Sequence, residues 1–507
     1  MDLSRRTAQR SPRRAGRGGH GAQQRRGARL GRRGKLTLAG ALAALTLLVA
    51  AGPAGAWSSE TAFLIDGHGW GHGVGMSQWG CYGYAKHGWT YKAILKHYYT
   101  GIAFSAAANS DIRVRLRSGL SAVKVSCPKA YTATGTGSSL EIPAGATATT
   151  TYVNGAYRVV AGSVRKDFSA PVTFTPSSGV LRILTPTDLG DTGPYRGVIR
   201  VVRSDGSLMM INSVPLESYL RGSVPHEVSP SWPSEALKAA ACAARAFGLG
   251  SRKPSQSWDV YCDVRSQAYV GVGIEDPHTD AAILATAGVT PVYKGKPILA
   301  VYFSCSGGQT ESVQNVWGGT YPYLKGVDDP YDYYGSLHDW GPLRRTAAQL
   351  GGPLGAKGAL RAVYTVKRGV SPRIVKAAVI GGGGVKFMDG NEVRMALGLN
   401  SSWADFTSMS ISPAARDKAG IGAGESLTLK GRIYPALLAG ATVKLVYSYA
   451  GKWRNRSVTT SRVSENLGSG YKATYSEYIE AISPAQTTKY YFAWGKVHSP
   501  TTSVVVK

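Results

Sequence analysis

Hydrophobic and polar residues alternate in short runs between about residues 110 and 205. Alternation with a period of two is typical of antiparallel strands that bury one face, and each run is bounded by Gly, Ser, Asn or Pro. The runs cover residues 112–116, 122–125, 157–160, 181–184 and 198–202. We therefore predict a β-rich subdomain at about residues 110–205.

Two helices are predicted next. Residues 214–222 contain Pro215, which suits a first helical turn, and end at Gly222. A longer helix follows, for which Ser231 or Ser234 can serve as the cap. Its apolar stripe consists of Leu237, Ala241, Ala244 and Phe247, and its opposite face of Glu235, Lys238, Cys242 and Arg245.

Strand patterns return at residues 297–304 and 361–380, the latter with a glycine hairpin tip at 381–384. Beyond about residue 412, runs of strand character follow one another at regular spacing without a helical period, which favours a β-sandwich module over residues 411–507. We interpret that module as a binding or spacer domain without chemistry. The predicted fold class is α+β: mostly antiparallel β with a few helices framing a catalytic cleft, plus a C-terminal immunoglobulin-like β-sandwich.

Charge changes this picture at the amino terminus. The first 35 residues hold twelve Lys and Arg against one acid, Asp2, so +11 of the net charge of +29 lies there and +18 on the remainder. Residues 36–56 are uncharged and end in Ala54-Gly55-Ala56. A basic run, an apolar stretch and a small-residue site indicate a secretory signal over residues 1–56, although an uncleaved segment of that length could also anchor the chain in a membrane. We expect a secreted or cell-envelope protein.

The remaining basic charge favours an acidic polymer or an anionic surface as the partner. A nucleic-acid partner is not expected, because no basic patch interleaved with aromatic residues follows the signal. The chain has five cysteines, which an oxidising compartment could join into one or two disulfides, and the pairing does not follow from spacing.

Glu227 is the strongest candidate for acid chemistry. It lies between the two predicted helices, among Val224, Pro225, Val228 and Trp232. A carboxyl group held among apolar side chains loses hydration, its pKa rises, and it can deliver a proton near neutral pH. Capping of the following helix by a carboxylate is an equally open interpretation.

Two further segments carry polar candidates. Arg245 on the second helix could contact a substrate or form an ordinary ion pair. The turn at residues 302–311 exposes Ser304 together with other hydroxyl and amide groups, a set that could bind a sugar or simply form a polar turn. This turn lacks the strand–turn–helix setting and the Gly-x-Ser-x-Gly spacing of a serine nucleophile.

Residues 66–80 form a glycine-rich segment that contains His68 and His72. Glycine on both sides of each histidine argues against a helix there. A zinc site is weakly supported, because no Cys-x-x-Cys unit or His-Glu-x-x-His helix accompanies the histidines, and a phosphate loop is excluded by the missing Gly-Lys-Ser/Thr step.

Several blocks together resemble the SpoIID/LytB family of sporulation proteins and amidase enhancers. They include residues 214–228, 235–247, 267–271, 302–311 and 393–403, and the block Gly69-Trp-Gly-His-Gly-Val-Gly-Met-Ser-Gln-Trp-Gly80. In the family's usual order the last of these comes at the end, whereas here it comes first. We interpret this as a circular permutation, in which the amino-terminal segment returns to complete a domain of residues 57–410 near Ser408.

The resemblance implies a peptidoglycan lytic transglycosylase, with Glu227 as the catalytic acid and base that gives 1,6-anhydro ends. A family Met-Pro step after this glutamate is replaced here by Val228-Ser229. The glycan is expected to be held by Arg245, Tyr269, Ser304, His72, Ser77 and Gln78.

No cofactor is expected. Some family members bind zinc near the segment that matches Cys262 and Cys305, but a disulfide between these two is an equal alternative. The partners implied are glycan strands and a cell-wall amidase, which the chain would stimulate without catalysis under the alternative hypothesis of a wall-binding enhancer.

Overall fold

The computed structural model describes residues 60–414 and 420–507. The chain is mostly antiparallel β-structure with few helices, which agrees with the predicted α+β class. The predicted signal over residues 1–56 lies outside the described residues. None of the helices in the described ranges is both long and apolar enough to cross a membrane.

The helices of the described residues are short apart from α5. They are α1 (Gln78–Lys86), α2 (Tyr91–Tyr98), α3 (Leu216–Arg221), α4 (Val224–Glu227), α5 (Ser234–Gly250), α6 (Pro277–Ala285), α7 (Val313–Val316), α8 (Ala347–Leu354) and α9 (Gly390–Leu397), with 3-10 helices at Gly271–Ile274 and Asp332–Tyr334.

The strands up to the predicted helices are β1 (Glu60–His68), β2 (Met76–Ser77), β3 (Ala103–Ala106), β4 (Asp111–Leu120), β5 (Ala122–Ser126), β6 (Tyr131–Gly135), β7 (Ser138–Ile142), β8 (Thr147–Val153), β9 (Ala156–Ala161), β10 (Val164–Phe168), β11 (Val172–Pro176), β12 (Leu181–Ile183), β13 (Gly193–Tyr195), β14 (Val198–Ser204) and β15 (Ser207–Pro215). Those that follow are β16 (Val260–Tyr261), β17 (Val289–Tyr293), β18 (Lys296–Pro297), β19 (Tyr302–Phe303), β20 (Asp339–Thr346), β21 (Leu360–Arg368), β22 (Ile374–Gly381), β23 (Gly384–Asp389), β24 (Ala404–Ala414), β25 (Leu427–Tyr434), β26 (Thr442–Tyr449), β27 (Lys452–Gly468), β28 (Tyr471–Ile482), β29 (Thr488–Trp494), β30 (Val497–His498) and β31 (Thr502–Val504).

Strands β4 to β16 form the β-rich part of the chain. One sheet has the order β10-β9-β8-β5-β12-β13 and the other β16-β4-β15-β14-β11-β6-β7. Inward-facing residues of both sheets share one core, which includes Val114, Val125, Phe174, Ile199 and Met210. All five alternating runs predicted in this region form strands, the run 181–184 through residue 183, and buried side chains alternate along them except at the adjacent pair Val201 and Val202.

Helix α5 differs from the prediction in what surrounds it. Its leucine and several alanines pack into the core of the β-rich part, while other alanines and Cys242 pack into a second core formed with α1 and α2. Cys242 and Arg245 were predicted on an outward face, but both are fully buried. The helix begins at Ser234 after Pro233, and neither Ser231 nor Ser234 caps it.

The amino-terminal strand β1 lies inside a large sheet. It pairs antiparallel with β24 from Glu60 opposite Ile411 to Gly67 opposite Ala404, and with β20 on its other edge. Phe63 lies opposite Ser408, so the amino-terminal strand pairs with β24, while the circular permutation itself stays a prediction. Its apolar run is continuous because both faces of the strand are covered.

The C-terminal strands continue this same sheet. Strand β25 pairs with β24, and β28 and part of β27 follow it. Strand β27 pairs with β26 through residues 452–459 and with β28 through residues 460–468, so it passes from one sheet to a second that holds β26, β29, β30 and β31. The predicted boundary at residue 411 therefore falls within β24, and the two sheets share a core that includes Leu64.

Two later predictions had different outcomes. The glycine hairpin tip at 381–384 joins β22 to β23, as expected. Residues 297–304 are not one continuous strand, because only Lys296–Pro297 and Tyr302–Phe303 pair, each with a different neighbour.

Candidate functional site

Glu227 ends the short helix α4, and its carboxyl group enters a small apolar pocket. The residues that line it come from four segments of the chain: Met76, Gln78, Val224, Glu227, Val228, Ala240, Ala244 and Tyr302. Burial raises the pKa of the Glu227 carboxyl, against a hydrogen bond from the Ala268 N–H to Oε1 at 3.0 Å that favours the ionised form. The net direction is upward, which favours a protonated acid.

The glycine-rich segment reaches this pocket. Strand β2 pairs in parallel with β19, so Met76 lies opposite Tyr302. The Gln78 side chain donates from Nε2 to the backbone carbonyl of Glu227 at 3.0 Å. The permuted segment therefore contacts the residue predicted to carry the chemistry.

Glycines in this segment allow close packing against Arg373 and Val301. Gly73 and Gly75 have φ of 87° and 79°, a region that favours glycine. A Cβ at Gly73 would lie 2.4 Å from Nε of Arg373, and one at Gly75 would lie 2.1 Å from the carbonyl oxygen of Val301. Both positions serve backbone packing rather than contact with a phosphate.

His72 is held by two hydrogen bonds. The Val74 N–H donates to Nδ1 at 3.1 Å, so Nε2 carries the proton and donates to the Tyr302 carbonyl at 3.1 Å. Burial lowers the pKa of His72 to about 3, with a smaller contribution from Arg394. The imidazole is therefore neutral. His72 does not line the pocket, and it is linked to the pocket by its hydrogen bond to Tyr302, which does.

His68 lies apart from His72. Its Nδ1 is 2.6 Å from Oδ1 of Asp339, and its ring packs against Trp403. The two histidines thus have separate partners, and they belong to no group of three potential metal ligands within the described ranges.

The serines of the predicted site have unequal exposure. Ser77 is fully buried, and its hydroxyl donates to Oδ1 of Asp332 at 2.5 Å. The same hydroxyl accepts from the Gly80 N–H in the first turn of α1 and so caps that helix. Its side chain is engaged in holding the helix. Ser304 is only half-buried, so its side chain stays a candidate for glycan contact. Its backbone carbonyl accepts a hydrogen bond from the Trp79 N–H.

Arg245 and Tyr269 are structural in this arrangement. Arg245 is fully buried and donates to both carboxylate oxygens of Glu217, at 2.7 and 2.8 Å, and to the Val289 carbonyl. Tyr269 is 1% exposed and donates to Oδ1 of Asn212 at 2.7 Å. Neither side chain is accessible to a glycan, which corrects the prediction for both.

Residues that the sequence analysis did not single out hold the pocket together. Gln267 donates to the Tyr302 hydroxyl at 2.7 Å and accepts from Tyr219 at 2.9 Å, while the N–H of Ala268 reaches Glu227. The block 267–271 was the available signal, although it pointed to Tyr269 rather than to these two neighbours.

All five cysteines are buried and unpaired, so Cys262 and Cys305 form no disulfide. The Cys262 thiol donates to the Leu116 carbonyl and joins no group of three potential ligands in the described residues, so this position does not fit a zinc site. Cys305 lies near Asp332 and His338. Burial raises the pKa of this thiol, which donates to Asp332 at 2.9 Å as an ordinary hydrogen bond.

Comparison with known proteins gives a consistent set of names. Residues 204–293 match the model of the SpoIID family, described as stage II sporulation protein. Stage II sporulation protein D of Bacillus subtilis is 32% identical over 214 residues, which are 39% of this chain and 61% of that protein. The amidase enhancer of Bacillus subtilis is 35% identical over 116 residues, 22% of this chain and 15% of that protein.

An uncharacterized protein of Brachyspira hyodysenteriae is 37% identical over 140 residues, 26% of this chain and 37% of that protein. The chain therefore spans between about a seventh and three fifths of the length of these relatives. The family match includes Glu227 but stops before Tyr302 and does not reach the glycine-rich segment. No solved structure matches the chain.

Proposed function

Because this chain belongs to the SpoIID/LytB family, we propose that it is an exported lytic transglycosylase that cleaves the glycan strands of peptidoglycan. The proposed bond lies between N-acetylmuramic acid and N-acetylglucosamine, and the products carry 1,6-anhydromuramic ends.

The observation that carries the proposal is the setting of Glu227. Its carboxyl group lies in an apolar pocket, where burial raises its pKa. A protonated carboxyl near neutral pH can act as a general acid on a leaving oxygen. The Ala268 N–H remains within hydrogen-bond distance of Oε1 and can stabilise the carboxylate that forms after proton transfer.

The reaction needs one proton donor that is later a proton acceptor. Glu227 gives its proton to the glycosidic oxygen, and the bond from that oxygen to C1 of the muramic residue breaks. The resulting carboxylate takes the proton of the muramic 6-hydroxyl, whose oxygen forms a new bond to C1. The enzyme regains its proton, and no water is consumed.

A single carboxyl group fits this chemistry. Ordinary glycoside hydrolases use two carboxyl groups, one of which activates water or attacks C1. Within the described part of the chain, Glu227 is the only acidic residue that lines the pocket. An internal nucleophile on the substrate makes a second carboxylate unnecessary.

The substrate contacts are proposed for a smaller set than the sequence analysis gave. Gln78 donates to the backbone carbonyl of Glu227 and so helps to fix its position. Ser304 lies two residues after Tyr302 in the chain, is half-buried, and stays in the proposed set. His72 is neutral and donates to the Tyr302 carbonyl, so its proposed role is to position Tyr302, which lines the pocket. Arg245, Tyr269 and Ser77 are proposed to support the fold.

The proposed place of action is the cell envelope. A signal over residues 1–56 would export the chain, and the positive charge of the remainder suits an anionic wall polymer. The relatives named for sporulation and for amidase enhancement are consistent with a role at the wall, and an amidase is the proposed protein partner.

Mass spectrometry of purified glycan strands incubated with residues 57–507 tests the activity. Anhydromuramic ends are expected with the unchanged chain and are expected to disappear with Glu227→Gln, which keeps the shape but cannot donate the proton. Glu141→Gln is the matched control, because Glu141 is an exposed residue of β7 that is distant from Glu227 in the sequence. Equal cleavage by both variants would contradict the proposed acid.

The match to an amidase enhancer supports a second candidate, a wall-binding protein that stimulates an amidase without catalysis. Under that hypothesis Glu227→Gln leaves amidase stimulation and wall binding unchanged, and the unchanged chain produces no anhydro ends. The same set of proteins therefore separates the two functions.

A further inference from the structure

Five aromatic side chains from three segments form one connected strip, which we call the aromatic strip: Trp232, Trp79, Tyr82, Tyr334 and Tyr333. Trp79 and Tyr82 belong to α1, Trp232 to the connection between α4 and α5, and the two tyrosines to the 3-10 helix Asp332–Tyr334. Ring centroids are 5.1 Å apart for Trp79 and Trp232, 5.3 Å for Trp232 and Tyr82, 5.3 Å for Tyr82 and Tyr334, and 4.6 Å for Tyr334 and Tyr333.

One end of the aromatic strip adjoins the pocket of Glu227. Gln78, which donates to the Glu227 carbonyl, directly precedes Trp79 in α1. Tyr82 lies four residues after Gln78, and such pairs share one face of a helix. Trp232 follows Glu227 on the connection to α5. The strip therefore starts at the catalytic side and leads away from it.

The other end of the aromatic strip is open to solvent. Tyr333 is 53% exposed and Tyr334 is 37% exposed, and their rings are stacked with an angle of 26° between the planes. Trp79, Tyr82 and Trp232 are partly buried. Packing explains the partly buried rings, but two adjacent exposed tyrosines that continue a row of rings are more typical of a ligand-contacting surface.

We propose that the aromatic strip is a binding subsite for the sugar rings of a glycan strand, beyond the two sugars joined at Glu227. This inference rests on the proposed function for the identity of the polymer. Pyranose rings have C–H faces that pack on the negative face of an aromatic ring, and tyrosine adds a hydroxyl group for hydrogen bonding. Three segments supply the rings, so the strip can contact several sugars in a row.

Such a subsite would use binding energy at a distance from the reacting bond. Contacts to remote sugars can fix the position of the strand, so that the scissile oxygen lies at the carboxyl group of Glu227. Stacking on neutral rings does not require the charged stem peptides of peptidoglycan.

A competing explanation is that these rings only pack α1 against the 3-10 helix. Those two elements are already joined by the hydrogen bond from Ser77 to Asp332. Removal of the Tyr334 ring could then lower stability but should leave glycan binding by the folded protein unchanged. The two explanations differ in the affinity for glycan, which stability alone does not report.

The test measures binding of stem-peptide-free glycan strands and of chitohexaose to residues 57–507 carrying Glu227→Gln, which prevents turnover during titration. Adding Tyr334→Ala is expected to weaken binding about tenfold, as truncation of an aromatic anchor commonly does. Tyr334→Phe keeps the ring and is expected to bind nearly as well as the parent. Thermal unfolding of all variants should coincide.

Tyr449→Ala is the matched control, because Tyr449 is 45% exposed on β26 in the C-terminal part of the chain. The proposal is overturned if Tyr334→Ala binds as tightly as the control, or if the parent binds neither probe. Binding by the Glu227→Gln chain does not depend on catalysis, so a chain that binds through the strip but makes no anhydro ends would refute the proposed function alone.

Discussion

Phe63 and Leu64 in β1 give a direct test of how the amino-terminal segment is built into the fold. Neighbouring side chains on a strand point to opposite faces, and these two are 2% and 6% exposed. Phe63 packs into a core with Trp340 and Phe406, and Leu64 into a different core with Met409. Phe63→Ala and Leu64→Ala therefore each remove a buried side chain from a separate core.

The expected cost is large for both. Truncation of a buried phenylalanine costs about 3–5 kcal/mol and that of a buried leucine about 2–5 kcal/mol, depending on how far the site can collapse. Collapse is restricted here, because β1 is hydrogen-bonded on one edge to β20 and on the other to β24. A strand packed on only one face would instead show one large and one small loss.

Urea unfolding followed by tryptophan fluorescence measures the free energy of unfolding from its midpoint and slope. Arg345→Ala is the control, since Arg345 pairs with Phe63 across the strands but is exposed, and its loss should change stability by less than about 0.5 kcal/mol. If either core variant proves as stable as that control, the placement of β1 is wrong. The argument that Gln78 reaches Glu227 would fall with it.

Arg245→Ala is expected to lower the free energy of unfolding by roughly 3–5 kcal/mol, because the Glu217 carboxylate loses both guanidinium hydrogen bonds. Glycan binding by the folded variant should be unchanged, and a selective loss of binding would restore Arg245 as a substrate residue. Cleavage is expected to fall as pH rises through the raised pKa of Glu227, because the acid loses its proton. The stability that the protonated form of Glu227 contributes is likewise greatest at low pH and is lost over the same pH range. A pH–rate profile that rises there would contradict its role as the acid. Thiol titration without reductant is expected to find no reactive cysteine in the folded chain and five after unfolding, whereas three would reveal one disulfide and contradict the unpaired cysteines of the structure.

Five strands of the β-rich part were predictable because their buried side chains largely alternate, which leaves a period of two in the sequence, whereas β15 buries residues 208–212 in succession and was not predicted. The surroundings of α5 were not. Its alanines are small enough for two cores to approach from opposite sides, and alanine on a second face gives little hydrophobic signal. The sequence therefore predicted that Cys242 and Arg245 face outward, although both are buried.

The candidate site shows the same division between local and distant information. The apolar neighbours of Glu227 in the sequence indicated its raised pKa, and two of them, Val224 and Val228, do line its pocket, but Met76, Ala240, Ala244 and Tyr302 come from distant parts of the chain. The partners of Arg245 and Tyr269 are Glu217 and Asn212, which lie 28 and 57 residues away. No local pattern announces such pairs, and so two structural residues were predicted to bind glycan.

The register of β1 and β24 suits the circular permutation that the sequence analysis predicts. Glu60, at the start of β1, lies opposite Ile411, near the end of β24. Two antiparallel strands in that arrangement need only a short hairpin to join them, so a chain in the usual family order would pass from β24 through a turn into β1 and then into the glycine-rich segment. Opening the chain at that turn leaves every pairing of β1 intact. It also frees the end of β24 to continue into β25, which pairs along the other edge of β24 and begins the C-terminal strands. If the predicted permutation is correct, one change of connection accounts for the early position of the glycine-rich segment and for the sheet that the C-terminal part shares with the domain before it.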